Sequence, residues 1–203
     1  MYPLVKRAFD AVLAFVVLLF LLPFFLVAGI LIKLDSKGPV FFRQDRLGVG
    51  ARPFKVYKLR SMYLGAEKLG VYEAKDDPRV TRIGRFLRRT SLNELPQFIN
   101  ILKGDMSLIG PRPVLPFHPW PIEEYTSEQR KRFQVRPGLT GWAQVNGRKN
   151  VPWPERLQLD GEYVDRLSAA FDVRILLKTV AVVLSGKDNY NEGETGGNAN
   201  DAG

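Results

Sequence analysis

From Ala11 to Ile32 the chain reads AVLAFVVLLFLLPFFLVAGILI, with no charged position. At about 1.5 Å per residue a helix of that length reaches across a bilayer core about 30 Å thick, so the pattern predicts a membrane helix. The run is too long for the apolar core of a signal peptide, and no small-residue cleavage site follows it. Pro23 falls near its centre and removes a helical hydrogen bond, which predicts a kink. Lys6 and Arg7 precede the run, and Lys33 and Lys37 follow it. Basic flanks stay cytoplasmic, so positive charge at both ends gives no orientation for a crossing helix. It suits one that turns back, with each arm reaching about 17 Å. A kinked single-pass helix fits the same pattern, and the residues alone leave both arrangements open.

Beyond this helix the period changes. Val40 to Gln44 and Phe54 to Leu59 are β-rich runs on either side of a turn containing Gly48 and Gly50, which predicts a hairpin. Ser61 to Pro78 is polar and weakly periodic, a helix or loop cover around Ala66 to Leu69. In RVTRIGRFLRR, Arg79 to Arg89, five arginines surround Val80, Ile83, Phe86 and Leu87 at helical spacing, the pattern of a basic interfacial helix. Ser91 and Glu94 have the spacing of a capping box. They predict a helix from near Leu92, with Leu95, Phe98, Ile99 and Leu102 as its buried stripe and Gly104 as its stop.

Pro116, Pro119 and Pro121 stiffen the loop that follows, and Glu123 to Phe133 predicts a short charged helix. The glycine-rich stretch Arg136 to Arg148 has too few helix formers for a helix and predicts loop and short strand. A last helix is predicted over Pro154 to Leu184, broken near Leu167 to Ala170. From Ser185 the composition turns to Gly, Asn, Asp and Glu, predicting a disordered tail. These elements give an α+β fold class: a membrane helix over 1–35, a small domain of hairpin and interfacial helices over 36–184, and a tail over 185–203.

Composition narrows the chemistry. The 203 residues hold 30 Lys and Arg against 21 Asp and Glu, a formal charge of +9, which points to anionic partners: phospholipid headgroups, phosphorylated substrates or nucleic acid. The hairpin mixes Arg43, Arg46, Arg52, Lys55, Lys58 and Arg60 with Phe41, Phe42, Phe54 and Tyr57, as a nucleic-acid-binding strand pair does. Next to a membrane helix the same mixture fits anionic headgroups better. No nucleic-acid motif is present, so no nucleic-acid partner is expected. Cysteine is absent, which excludes disulfides and thiolate metal sites, and the one histidine, His118, excludes a histidine cluster.

The densest chemistry lies in TSLNELPQFINILKGDMSLIGPRP, Thr90 to Pro113. Arg112, between two prolines in a rigid turn, is a candidate bidentate phosphate clamp. Glu94 by itself reads as half of the capping box. The stretch SLNELPQFINILKGDMSLIGPRP resembles the signature of the small bacterial monotopic phosphoglycosyl transferases, which start glycoconjugate assembly on a polyprenyl phosphate. RPGLTGWAQVNGR, Arg136 to Arg148, and FDVRILLKT, Phe171 to Thr179, are similar to further segments of that family, and Lys6, Arg7 and Asp10 to its N-terminal pattern.

The resemblance implies a re-entrant helix with both ends on the cytoplasmic face of the bacterial inner membrane, and an active site at the headgroup plane. It implies a UDP-sugar and undecaprenyl phosphate as substrates, Mg²⁺ as cofactor and Glu94 as its ligand. Phosphate, nucleotide or sugar contacts are implied for Arg88, Arg112, Arg136, Gln144 and Arg148, and acidic site positions for Asp160 and Asp172, Asp172 being able to cap the last helix instead. The family pattern reads Ser-Leu-Asp-Glu-Leu-Pro-Gln, with the aspartate as nucleophile, and here Asn93 stands in its place. A neutral amide is a poor nucleophile, so the chain is expected to bind substrates and turn over very slowly or not at all. The intact surroundings favour an engineered inactivating substitution over a naturally inactive member or one whose nucleophile lies elsewhere. The reading from another class is a membrane-bound scaffold that binds nucleotide sugar without transfer.

Overall fold

In the computed structural model, which describes residues 2–70, 77–117, 119–147 and 151–185, the apolar run lies within a single helix, α1 (Tyr2–Asp35), that contains Pro23. Only 11% of its most apolar window is buried within the protein. One face packs: Ala14, with Val17, Leu18 and Leu21 beside it, joins a cluster of Val56, Phe98, Ile101 and Met106. Further along, Phe24, Phe25, Ala28 and Ile32 meet Leu59 and Leu87. These positions recur at helical spacing, so a helix apolar on every side still has one face chosen by its neighbours. Leu4, Phe9, Phe20, Leu26 and Leu34 stay exposed.

Both ends of α1 are tied to the same body. Near the start, Lys6 pairs with Asp172 at 2.7 Å, and Arg7 donates to the carbonyls of Ile101 and Leu102. The buried Asp10 accepts from the Ser107 hydroxyl at 2.6 Å. Near the end, Arg60 donates to the main-chain oxygens of Ile32, Ser36 and Lys37, and Asp35 accepts from the Ile83 amide at 2.9 Å. The hairpin arginine Arg60 is thus buried as a C-terminal cap of α1, a role the charge pattern did not reveal.

The hairpin is β1 (Phe41–Leu47) against β2 (Pro53–Leu59), antiparallel, with Phe41 opposite Leu59 and Leu47 opposite Pro53. It is longer than the β-rich runs because Asp45, Arg46 and Pro53, weak strand formers, are carried along by the pairing. The basic helix α2 (Arg82–Arg89) starts later than its apolar pattern: Thr81 caps it through the Gly84 amide, and Val80 instead bridges to Met62. Gly84 lies so close to Ser61 that a Cβ would sit 2.0 Å from its carbonyl oxygen. Helix α3 (Gln97–Lys103) ends at Gly104, as predicted, in the left-handed conformation.

A second pair, β3 (Ser107–Ile109) and β4 (Gly138–Thr140), is parallel, with Ser107 opposite Gly138 and Ile109 opposite Thr140. The charged segment near 123–133 breaks into pieces: a 3-10 turn, Ile122–Glu124, a capped helix α4 (Ser127–Arg130), and a second 3-10 turn, Lys131–Gln134. Thr126 forms a capping box with Gln129, which restarts the chain and prevents one continuous helix. After β4 a short helix, α5 (Trp142–Val145), occupies what the glycines predicted as loop. Trp142 and Ala143 are buried there, so packing overrides local propensity. The last helix is two, α6 (Trp153–Asp165) and α7 (Ala169–Ser185), with the break where predicted. His118, Arg148 and the tail beyond Ser185 lie outside the described residues.

Candidate active site

The capping box predicted at Ser91 does not form. Ser91 has φ of 58°, in the left-handed region, and makes no side-chain cap bond. The chain runs from α2 through Thr90 into a 3-10 turn, Leu92–Glu94, and α3 begins only at Gln97. Pro96 is the reason: it has no N–H to donate to the Leu92 carbonyl, and its ring crowds that carbonyl, so an α-helix cannot run from 92 through 96. The expected stripe shifts with the start. Phe98 and Ile101 are buried, joined by Gln97 and Asn100, while Leu102 is exposed.

The 3-10 turn is held from below by Leu92, which packs against the cluster of Ala28, Ile32, Leu59 and Leu87. Asn93 is 8% exposed. Glu94 turns the other way, and its Oε1 accepts from Arg112 Nη2 at 2.9 Å and from Lys58 Nζ at 3.3 Å. Desolvation raises the pKa of this carboxylate, but Arg112 first and Lys58 second outweigh it and hold it well below the usual carboxylate range. Lys58 was not singled out from sequence, where it was one of six basic hairpin residues. Its signal was the strand alternation that sets it opposite Phe42.

Arg112 stands on a turn whose carbonyls are all engaged. Pro111 and Pro113 offer no N–H, so the turn is fixed through its acceptors. The Pro111 oxygen takes the Gly138 amide at 2.9 Å, the Arg112 oxygen takes Arg132 Nη2, and the Pro113 oxygen takes Arg46 Nη1 at 3.0 Å. Just beyond, the Val114 oxygen takes the Leu47 amide at 2.9 Å. The β3–β4 pair brings this turn against the Arg136–Gly141 stretch at contact distance: a Cβ on Gly138 would lie 2.1 Å from the Gly110 nitrogen, and one on Gly141 would lie 2.1 Å from the Gly110 oxygen. Those glycines serve backbone approach. A shallow cleft of about 10 Å³, open to solvent, lies against the turn between Gly48, Pro111, Arg112, Phe133 and Pro137.

The other predicted site residues divide. Arg88 donates to the Ser61 hydroxyl at 2.7 Å, from an α2 that abuts the Asn93 turn. Arg136 Nε caps the end of α3 at the Gly104 carbonyl, 2.9 Å away. Gln144 makes a long contact of 3.5 Å to the Leu139 carbonyl, and its Oε1 is buried without a hydrogen bond. Asp160 is buried on α6 and pairs with Arg132 at 3.2 Å. Asp172 accepts from Tyr2, Lys6 and Tyr163, so its carboxylate joins α1, α6 and α7 instead of facing Glu94. The structure thus brings Glu94 and Arg112 together and adds Lys58, leaves Asn93 nearly buried one residue before Glu94, and sets Arg136, Asp160 and Asp172 in contacts with Gly104, with Arg132, and with Tyr2, Lys6 and Tyr163.

Among the described residues no three acidic, histidine or cysteine side chains converge as a metal cage. A Mg²⁺ that arrives with phosphate oxygens commonly takes only one or two carboxylates. Glu94 is the carboxylate at this turn, and its Oε1 is here shared by Arg112 and Lys58.

This arrangement, an acidic turn beneath an apolar helix and facing a proline-held arginine, meets a family-level match. The sequence profile of the family described as "Bacterial sugar transferase" covers residues 1–186, and the chain belongs to that family. It is 44% identical over 183 residues to the UDP-glucose:undecaprenyl-phosphate glucose-1-phosphate transferase of Escherichia coli, covering 87% of this chain and 39% of that protein. It is 41% identical over 189 residues to a UDP-N-acetylgalactosamine-undecaprenyl-phosphate N-acetylgalactosaminephosphotransferase of Aeromonas hydrophila, covering 91% of this chain and 45% of that protein. Against the uncharacterized sugar transferase EpsL of Bacillus subtilis the identity is 41% over 181 residues, covering 89% of this chain and 88% of EpsL. The chain therefore spans about two fifths of the longer relatives and most of the short one.

Proposed function

We propose that this fold transfers a sugar-1-phosphate from a UDP-sugar to undecaprenyl phosphate at a bacterial inner membrane, releasing UMP. The observation that carries the reading is the Glu94 carboxylate, one residue after Asn93 and bonded to both Arg112 and Lys58. A diphosphate entering this site meets two cationic side chains, and the Glu94 charge they now share is free to face a phosphate-bound Mg²⁺. When bound, that ion would neutralise charge on the diphosphate oxygens. In the complete reaction a carboxylate at position 93 attacks the β-phosphorus and the bond to the UMP oxygen breaks. The lipid phosphate oxygen then attacks the same phosphorus and returns the carboxylate.

With Asn93 the first bond cannot form at a useful rate, so this chain binds and does not transfer. The exposed face of α1 supports membrane residence, and its two ends, both tied to one body, support a helix that enters and returns on the cytoplasmic side. A second reading rests on Asn93 itself: a membrane-bound scaffold that holds nucleotide sugar. One experiment separates them. Asn93→Asp is expected to release UMP from a UDP-sugar in the presence of undecaprenyl phosphate and Mg²⁺, and to lose that activity in chelator. A revertant that binds UDP-sugar and releases no UMP supports the scaffold.

A further inference from the structure

Arg132 lies in the 3-10 turn Lys131–Gln134 with its side chain 3% exposed, and Asp160, on α6, is 4% exposed. The same Nη2 that meets Asp160 Oδ2 at 3.2 Å also donates to the Arg112 carbonyl. Arg132 Nη1 and Asp160 Oδ1 are both buried without a hydrogen bond. A buried ion pair of this kind, incompletely satisfied, contributes little to stability, and apolar residues of similar volume serve a core at least as well. The neighbourhood is such a core: Val114, Tyr125, Phe133 and Leu157 pack there with Trp120 and Trp153. The pair is therefore weak evidence of a stabilising role, and one of its bonds leaves the core and ends on the main chain of Arg112.

We infer that the buried Arg132–Asp160 pair is a positioning device for Arg112, fixing the backbone beneath the guanidinium that meets Glu94 and so the affinity of the site for a nucleotide phosphate. A proline-flanked residue offers few other handles. Its neighbours cannot donate, so the turn is held through its carbonyls, and the Arg112 carbonyl is the one on the same residue as the guanidinium. Only a cation reaches it with a charge-assisted bond, and a cation in that core requires a carboxylate behind it. Asp160 supplies that counter-charge, and Arg156 faces it as a second cation. The inference rests on the proposed nucleotide site.

The test is a double-mutant cycle on UMP affinity, measured by calorimetry on the full chain in nanodiscs with Mg²⁺. Arg132→Met is expected to weaken UMP about tenfold when Arg112 is present. In an Arg112→Ala background it is expected to change affinity less than about twofold. Because Arg132→Met alone leaves the buried Asp160 with only Arg156 as counter-charge and endangers the fold, the pair Arg132→Met with Asp160→Leu removes both members of the ion pair at once. It is expected to melt near the unsubstituted chain yet bind UMP as weakly as Arg132→Met. Equal losses in both Arg112 backgrounds, or full affinity in the paired variant, overturn the positioning role while leaving the proposed function standing. Failure of the unsubstituted chain to bind UMP overturns both.

Discussion

Ser91 is held at a φ of 58°, a conformation in which the Cβ of an L-residue crowds its own backbone, and it immediately precedes the turn that carries Asn93 and Glu94. A β-branched residue is the worst occupant of that region. Ser91→Val is therefore expected to lower stability by about 1–2 kcal/mol while Ser91→Gly leaves it nearly unchanged, which thermal melts of the two variants check. Asp160 makes a different residue-scale prediction. Desolvation pushes its pKa up to about 6, against the pull of Arg132 and Arg156. The unfolded value is about 3.9, so between these pH values the folded chain binds more protons than the unfolded one. Stability contributed through Asp160 thus falls as pH rises from about 4 to about 6, by about 3 kcal/mol at most. Asp160→Asn is expected to remove that slope from melts recorded across the window.

Among the elements, α3 shows how a polar residue can organise a helix. Asn100 is fully buried, accepts from the Tyr57 amide at 3.0 Å and donates to the Lys55 carbonyl at 2.7 Å, so it closes the free edge of β2. Its main-chain oxygen also accepts from the amides of Gly104, Asp105 and Met106, which turns the chain toward β3. Asn100→Leu keeps the branched shape of the side chain but leaves a part-buried N–H and C=O of β2 without these partners. The cost is expected to be about 1–3 kcal/mol for each group, seen as a lowered denaturation midpoint. The periodic pattern read Leu95, Phe98, Ile99 and Leu102 as the buried stripe and passed over Asn100, because an apolar count carries no information about an asparagine that satisfies a strand edge. Pro96 was legible as a breaker in principle. The Ser91–Glu94 spacing masked it, since the same two residue types at the same separation serve a 3-10 turn equally well.

For the whole molecule the decisive feature is that α1 touches one body at both ends. Leu4 and Leu34 are 79% and 80% exposed, near opposite ends of the helix. The chain has no cysteine, so single Leu4→Cys and Leu34→Cys variants give clean labelling sites. A membrane-impermeant maleimide is expected to modify both from the cytoplasmic side of sealed inverted vesicles. Labelling from opposite sides would establish a crossing helix and remove re-entry from the proposal.

The amino-acid order by itself determined the apolar length of α1, the hairpin, the break between α6 and α7, and the signature carrying Asn93, Glu94 and Arg112. Each of these is written in local period, local turn chemistry or contiguous motif. It did not determine that Lys58 shares Glu94 with Arg112, that Arg60 caps α1, that Arg136 bonds to the end of α3, that Asp160 pairs with Arg132, or that Asp172 joins α1, α6 and α7. Those roles join residues far apart along the chain. One lysine or aspartate resembles another until the fold assigns its distances, its burial and the one partner whose opposite charge it meets.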